Sequence, residues 1–174
     1  MAKIISLLMF CVFAFAYDDI LLDAQIRVLP KIALLDKDLS KKLIDNKVVL
    51  VIARDKDDSD EAKAIAEKIL SNTGGILGSY RLKVVVSDFA NLSKNDMSLL
   101  YIMDSSEANI KKAVQVAREK DVVSFTYSRE ALSMGATLSL QIERNTVIML
   151  NKNSVKDSSI RFVDSFYKII RVVE

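Results

Sequence analysis

Lys47-Val48-Val49-Leu50-Val51-Ile52-Ala53 is a continuous apolar run of strand length behind a single lysine. A strand with one face in water alternates apolar and polar residues. An unbroken β-branched run instead marks a strand covered on both faces, the signature of a parallel sheet between layers of helices. The next residues fit such a crossover. An acidic turn leads into a segment in which Ala62, Ile65, Ala66 and Ile69 recur at helical spacing, and Asn72-Thr73-Gly74-Gly75 ends it.

The alternation continues outward in both directions. Arg81 to Ser87 and Ser98 to Met103 are β-rich runs separated by a polar loop at Asn91 to Asp96. Ile110, Ala113, Val114 and Ala117 share one face of a further helix, and Val122 to Thr126 is another buried strand. Thr137 to Ile142 and Thr146 to Leu150 read as a hairpin across Glu143-Arg144-Asn145, where Asn145 tolerates positive φ. Ahead of the first strand, Ile20 to Leu43 reads as helix, with Leu21, Ala24, Val28, Ile32 and Leu35 on one stripe and a break or kink at Leu29-Pro30. The chain is expected to close with a helix facing inward through Ile160, Val163, Phe166 or Tyr167, and Ile170, capped from Asp157-Ser158-Ser159. The pattern predicts an α/β fold: a three-layer domain with a mostly parallel sheet and a C-terminal antiparallel β-hairpin at one edge. No repeat of fixed period and no low-complexity segment interrupts it.

Residues 1–16 carry a different message. Lys3 is a short cationic start, Ile4 to Phe13 is apolar apart from Ser6, and Ala14-Phe15-Ala16 matches a small-residue cleavage site. That is the pattern of a cleaved signal peptide, with 17–174 as one exported domain. The run is shorter than the roughly 18 apolar residues of a transmembrane helix. Cys11, the one cysteine, lies inside this segment, so the exported domain would have no disulfide. Phe10 is too bulky for the small residue that a lipid-attachment site places before its cysteine. Export removes access to cytoplasmic nucleotide pools, and the expected location is the periplasm.

Composition excludes several classes of chemistry. The formal charge is +2 before cleavage, acids and bases are mixed along the chain, and no basic block offers a grip on nucleic acid or anionic lipid. Histidine is absent, which removes the commonest general base and metal ligand. Asp55-Lys56-Asp57-Asp58-Ser59-Asp60-Glu61 begins like a calcium loop but has Asp60 where the turn needs Gly and Ala66 where a bidentate Glu belongs. Asp58 or Ser59 is expected instead to cap the following helix. Gly74-Gly75-Ile76-Leu77-Gly78 stands after a helix and before a strand, the wrong order for a phosphate cradle, and reads as an αβ turn. Ser165-Phe166-Tyr167-Lys168 fits S-x-x-K without the companion motifs of serine acyl-transferases, and reads as the solvent side of an amphipathic helix. The 23 acids include no pair in a setting that raises a pKa. No catalytic residue, cofactor site or metal site is expected.

One block has a relative in kind. Val122-Val123-Ser124-Phe125-Thr126-Tyr127-Ser128-Arg129-Glu130, then Met134-Gly135-Ala136-Thr137-Leu138-Ser139-Leu140, then Val147-Ile148-Met149-Leu150-Asn151, resemble the closing block of the YfiR-like periplasmic proteins. There a buried strand ends in a turn, a short helix leads to a glycine pair, and a hairpin exits in Asn before a final helix. Ala136 replaces the second glycine, and the exported domain lacks the cysteine pairs of some relatives. The resemblance implies an exported α/β domain, often dimeric, that binds the periplasmic part of an inner-membrane diguanylate cyclase and restrains it without catalysis. It makes Tyr127, Ser128, Gly135 and Asn151 the candidate partner- or ligand-binding residues. Each of the last three also has a purely structural duty open to it: Ser128 as a helix cap, Gly135 as a position needing positive φ or close approach, Asn151 as a tie at the hairpin exit. A groove at the ends of the parallel strands is the default place for a small effector.

The expectation is thus a periplasmic, non-catalytic regulator of an inner-membrane sensor, a diguanylate cyclase or histidine kinase, with a homodimer among its assemblies. The alternative is a small solute-binding protein that delivers a ligand to a transporter or sensor. An envelope hydrolase working through carboxylates is the third reading.

Overall fold

The computed structural model describes residues 20–126, 128–142, 146–156 and 158–174. The signal-peptide reading of 1–16, Tyr127, the hairpin turn at 143–145 and the cap candidate Asp157 lie outside the described residues. Among the described residues, no helix is long and apolar enough to cross a membrane.

Helix α1 runs over residues 20–32. It is followed by β1 (Lys47–Arg54), α2 (Ser59–Thr73), β2 (Ile76–Leu77), β3 (Tyr80–Asp88), β4 (Leu99–Ile102), α3 (Glu107–Glu119), β5 (Val123–Thr126), α4 (Arg129–Ser133), β6 (Leu138–Ile142), β7 (Thr146–Asn151), α5 (Lys152–Lys156) and β8 (Ile170–Val173). The strands form one sheet in the order β2-β3-β1-β4-β5-β6-β7-β8. Strands β3, β1, β4, β5 and β6 are mutually parallel, whereas β7 is antiparallel to β6 and β8 runs parallel to β7. The expected mostly parallel sheet with a closing hairpin is therefore present.

The apolar run from Val48 to Ala53 lies inside this sheet, between β3 and β4. Val48, Leu50 and Ile52 point into one core with α1, α2 and the C-terminal phenylalanines. Val49, Val51 and Ala53 point into a second core with α3 and α4. All six are buried, so β1 is covered on both faces, and three layers result. Of the predicted helical stripes, Ala62, Ile65 and Ile69 of α2 are buried with Ala66 half-buried beside them, and Ile110, Ala113, Val114 and Ala117 of α3 are buried.

Local chemistry sets the element ends. Gly74 closes α2 at φ +61°, a left-handed position that glycine takes without a Cβ penalty. Ser106 caps α3 by accepting from Asn109 N at 3.4 Å. Asp58 occupies the N-cap position of α2 but makes no capping hydrogen bond, and Ser59 is the first helical residue, so the expected side-chain cap is not made. Asp60 and Glu61 still place negative charge on its first turn.

Three expectations need correction. The opening helix passes through Pro30 and ends at Ile32, short of Leu43, tightening into 3-10 turns at Ala33–Leu35 and Leu39–Lys42. The glycine-rich turn folds partly into strand: Ile76 and Leu77 pair with Arg81 and Tyr80 around Gly78-Ser79 as a two-residue hairpin. The closing segment is not the expected helix. Tertiary hydrogen bonds hold it extended, Lys37 N to Arg161 O at 2.8 Å and Val163 N to Leu35 O at 2.9 Å, and Phe162 bridges Asp36. It then makes a 3-10 turn at Phe166–Lys168 and enters the sheet as β8. Phe162 and Phe166 pack at 4.5 Å between ring centroids in the α1/α2 core.

An ionic clamp fastens this segment to the stretch after α1. Arg161 donates to Asp38 through Nε at 3.0 Å and Nη2 at 2.7 Å, and Lys41 reaches the other carboxylate oxygen at 2.6 Å. These partners, Lys41 first and then Arg161, hold the Asp38 carboxyl down at about 2. Beside it Lys42 meets the buried Asp36 at 2.7 Å.

Candidate functional site

In a sheet whose parallel strands run β3-β1-β4-β5-β6, the strand order reverses beside β1. The chain leaves β1 toward the α2 layer and leaves β4 toward the α3 layer, so the two connections part and leave a crevice at the carboxyl ends of the strands. A groove of about 430 Å³ opens beside this point, between the ends of β1 and β3, lined by Arg54, Asp55, Lys56, Asp88, Phe89 and Asn109 among others.

Its polar groups are fixed by one another. Asp55 accepts from Ser105 Oγ at 2.5 Å and from Asn109 Nδ2 at 2.9 Å, which ties the loop after β1 to the loop after β4 and to the first turn of α3. Asn109 also donates to Ser105 Oγ at 3.1 Å. Arg54, the last residue of β1, turns Nη1 onto the carbonyls of Asp55 and Lys56 at 2.9 and 3.0 Å. Its Nε is buried and has no hydrogen-bond partner, so the guanidinium keeps unused donor capacity in this wall.

Across the groove, Asp88 ends β3 and accepts from Asn91 N at 2.8 Å and from Asn91 Nδ2 at 3.0 and 3.1 Å. Those hydrogen bonds, with the Arg54 and Lys56 charges behind them, hold its carboxyl below the ordinary aspartate value. Asn95 completes the loop by donating to Ser87 Oγ at 2.9 Å. The groove therefore carries carboxylates and cations side by side. Such a lining suits a small polar ligand that offers both kinds of partner.

The residues predicted from the closing block lie elsewhere. Ser128, at the carboxyl end of β5, caps α4 by accepting from Ala131 N at 2.9 Å. Gly135 precedes β6 at φ +111°, and a Cβ there would meet Val114 Cγ1 at 3.0 Å and Arg118 Nη2 at 3.1 Å. Asn151 ends β7, buried, donating through Nδ2 to Leu132 O at 2.8 Å and accepting from Ser154 N at 3.1 Å. Ser154 Oγ in turn donates to Gly135 O at 2.5 Å. Gly135 and Asn151 are thus joined through Ser154 in one polar seam between α4, α5 and the hairpin, and Gly135 and Ser154, but not Asn151, line a void of about 10 Å³ with room for about one water. Ser128, Gly135 and Asn151 do not line the crevice, and Tyr127 is outside the described residues.

The crevice residues were missed individually, yet a signal was present. Each central parallel run ends in a charged or hydroxyl pair: Arg54-Asp55, Ser87-Asp88 and Asp104-Ser105. Among the described residues, no group of three or more acids, cysteines or histidines is arranged to hold a metal ion.

No family model matches the chain, and no curated protein does. Among solved structures the chain is similar to a conserved domain protein from Vibrio cholerae O1 biovar eltor, with a TM-score of 0.56 and 11% identity over 79% of this chain and 58% of that one. It is also similar to an ABC domain from Streptococcus pneumonia solved in complex with L-Trp, with a TM-score of 0.52 and 9% identity over 83% of this chain and 62% of that one. At such identities the likeness is one of fold. The chain spans about three fifths of the length of each.

Proposed function

We propose that the chain is an exported, non-catalytic regulatory protein of the periplasm, which binds the sensor domain of an inner-membrane signalling enzyme, a diguanylate cyclase or histidine kinase. A small polar effector in the crevice at the ends of β1 and β3 would set that interaction. The observation that carries this reading is the state of the crevice's carboxylates. Asp55 is engaged by Ser105 and Asn109, and Asp88 is held below its ordinary pKa by Asn91. A general acid or base working near neutral pH needs a carboxyl raised toward that pH, and Asp88 is tuned the opposite way. Charges fixed in place serve recognition. The signal-like N-terminus and the resemblance of residues 122–151 to YfiR-like proteins supply the compartment and the kind of partner.

The test is cross-linking of the tagged protein in its own envelope, followed by identification of what it holds. The expected result is a membrane sensor with a periplasmic domain, and an N-terminus at Tyr17 on the purified protein. Recovery of the uncleaved chain from cytosol, or of no membrane signalling protein, contradicts it.

Solute delivery to a transporter or sensor is the second reading. One observation favours it: the fold likeness to an ABC domain solved in complex with L-Trp. Recovery of a permease in place of a signalling enzyme would select it.

A further inference from the structure

Strand β3 has nine residues, and β2 covers only its beginning, pairing at Tyr80 and Arg81. Leu82 N still reaches Gly75 O at 2.9 Å, and there the neighbouring chain turns away into α2. Backbone groups alternate in direction along a strand, so Val84 and Val86 point theirs to the same outer side as Leu82. No strand lies beside them there among the described residues. An open row of donors and acceptors is a template for another extended chain.

The charge at the start of this edge is one-sided. The register sets Ile76, Arg81 and Lys47 in one row across β2, β3 and β1, with Lys83 in the adjacent row opposite Val49. Residues directly paired share a face, so the three cations stand together on the face turned away from α2. Ile76 is 57% exposed beside them. A groove of about 520 Å³ along this corner is lined by Lys47, Arg81 and Lys83 with apolar residues and glycines, and by no carboxylate. Lysine at a sheet edge discourages indiscriminate pairing, and here it selects by sign.

We infer that the outer edge of β3 binds an extended segment of a partner protein, added as a further strand, with an acidic residue opposite Lys83 and apolar residues facing Val84 and Val86. The backbone ladder would supply affinity. The acid would sit within reach of Lys83 directly and of Arg81 on the diagonal, which fixes the register. The inference rests on the proposed regulatory function only for the identity of that partner.

The test uses the full exported domain and a short capped peptide of alternating Val and Glu, with its Val/Lys counterpart as control, read by amide exchange. The Glu peptide should saturably protect the Val84 and Val86 amides, and the Lys peptide should not. Lys83→Glu, a change at an exposed position, should weaken the Glu peptide by about tenfold or more and admit the Lys peptide. Lys83→Gln should weaken the first without admitting the second. Equal response to both peptides, no protection at Val84 and Val86, or concentration-dependent protection without peptide, which would mean a second copy on this edge, overturns the inference. Capture of a membrane sensor through another surface would overturn it and leave the proposed function standing. Peptide binding without any membrane sensor in the cross-linked material would do the reverse.

Discussion

Gly135 and Asn151 show how closely structural and functional readings of one residue can lie together. Both stand out in sequence, one as a glycine after a short helix and the other as the polar exit of an apolar strand. Their conformational duties were legible there: Gly135 takes φ +111°, Ser128 caps α4, and Asn151 ties the hairpin exit. The partners were not legible, because Leu132 and Ser154 reach Asn151 only through the folded chain. Gly135→Ala places a Cβ 3.0 Å from Val114 in a conformation that side chains rarely adopt, and should cost about 1–3 kcal/mol in urea denaturation. Asn151→Ala leaves the Leu132 carbonyl and the Ser154 amide without this side chain's hydrogen bonds inside the protein, and should also cost about 1–3 kcal/mol. If Asn151 served only a partner, the same change would leave the urea midpoint where it was.

At the scale of elements, periodicity succeeded where burial was one-sided or complete and failed where long-range bonds took over. The stripes of α2 and α3 and the run of β1 dictate their own conformation. The closing segment carries apolar residues at helical spacing too, but Ile160 and Phe162 are both buried with exposed Arg161 between them, an alternation of two. What selects the extended form is the strand-like bridge to residues 35–37 and the Arg161–Asp38 pair, neither of which a local pattern contains. Phe162→Ala removes a ring that is 1% exposed and should cost about 3–5 kcal/mol. The clamp also gives this element a pH signature. Folding lowers the Asp38 pKa from 3.8 to about 2, so its contribution is complete above the unfolded value and is lost as pH falls through that interval. Asp38→Asn should therefore lower the urea midpoint at neutral pH, and the difference from the parent protein should close as pH approaches about 2.

The whole molecule follows from strand order. Alternating α and β patterns announce a parallel sheet, and general topology then puts a crevice where the order reverses. Which strands flank that reversal depends on pairings among distant segments, so residues 54, 55, 88 and 109 could not be gathered from the sequence alone. The fold of the α/β core was thus readable, but its site only as a location. Recognition of a small polar ligand in this crevice is what the regulatory proposal depends on. It is measured most directly by the melting temperature of residues 17–174 across a metabolite library, for the parent protein and for Arg54→Met. A ligand at about 100 times its Kd adds about 2.7 kcal/mol. For a domain of this size that is a rise of roughly 5–10 °C. Such a rise is predicted for at least one polar metabolite, together with its loss in Arg54→Met. A library that shifts nothing, or a shift that survives Arg54→Met unchanged, would contradict ligand recognition at this site.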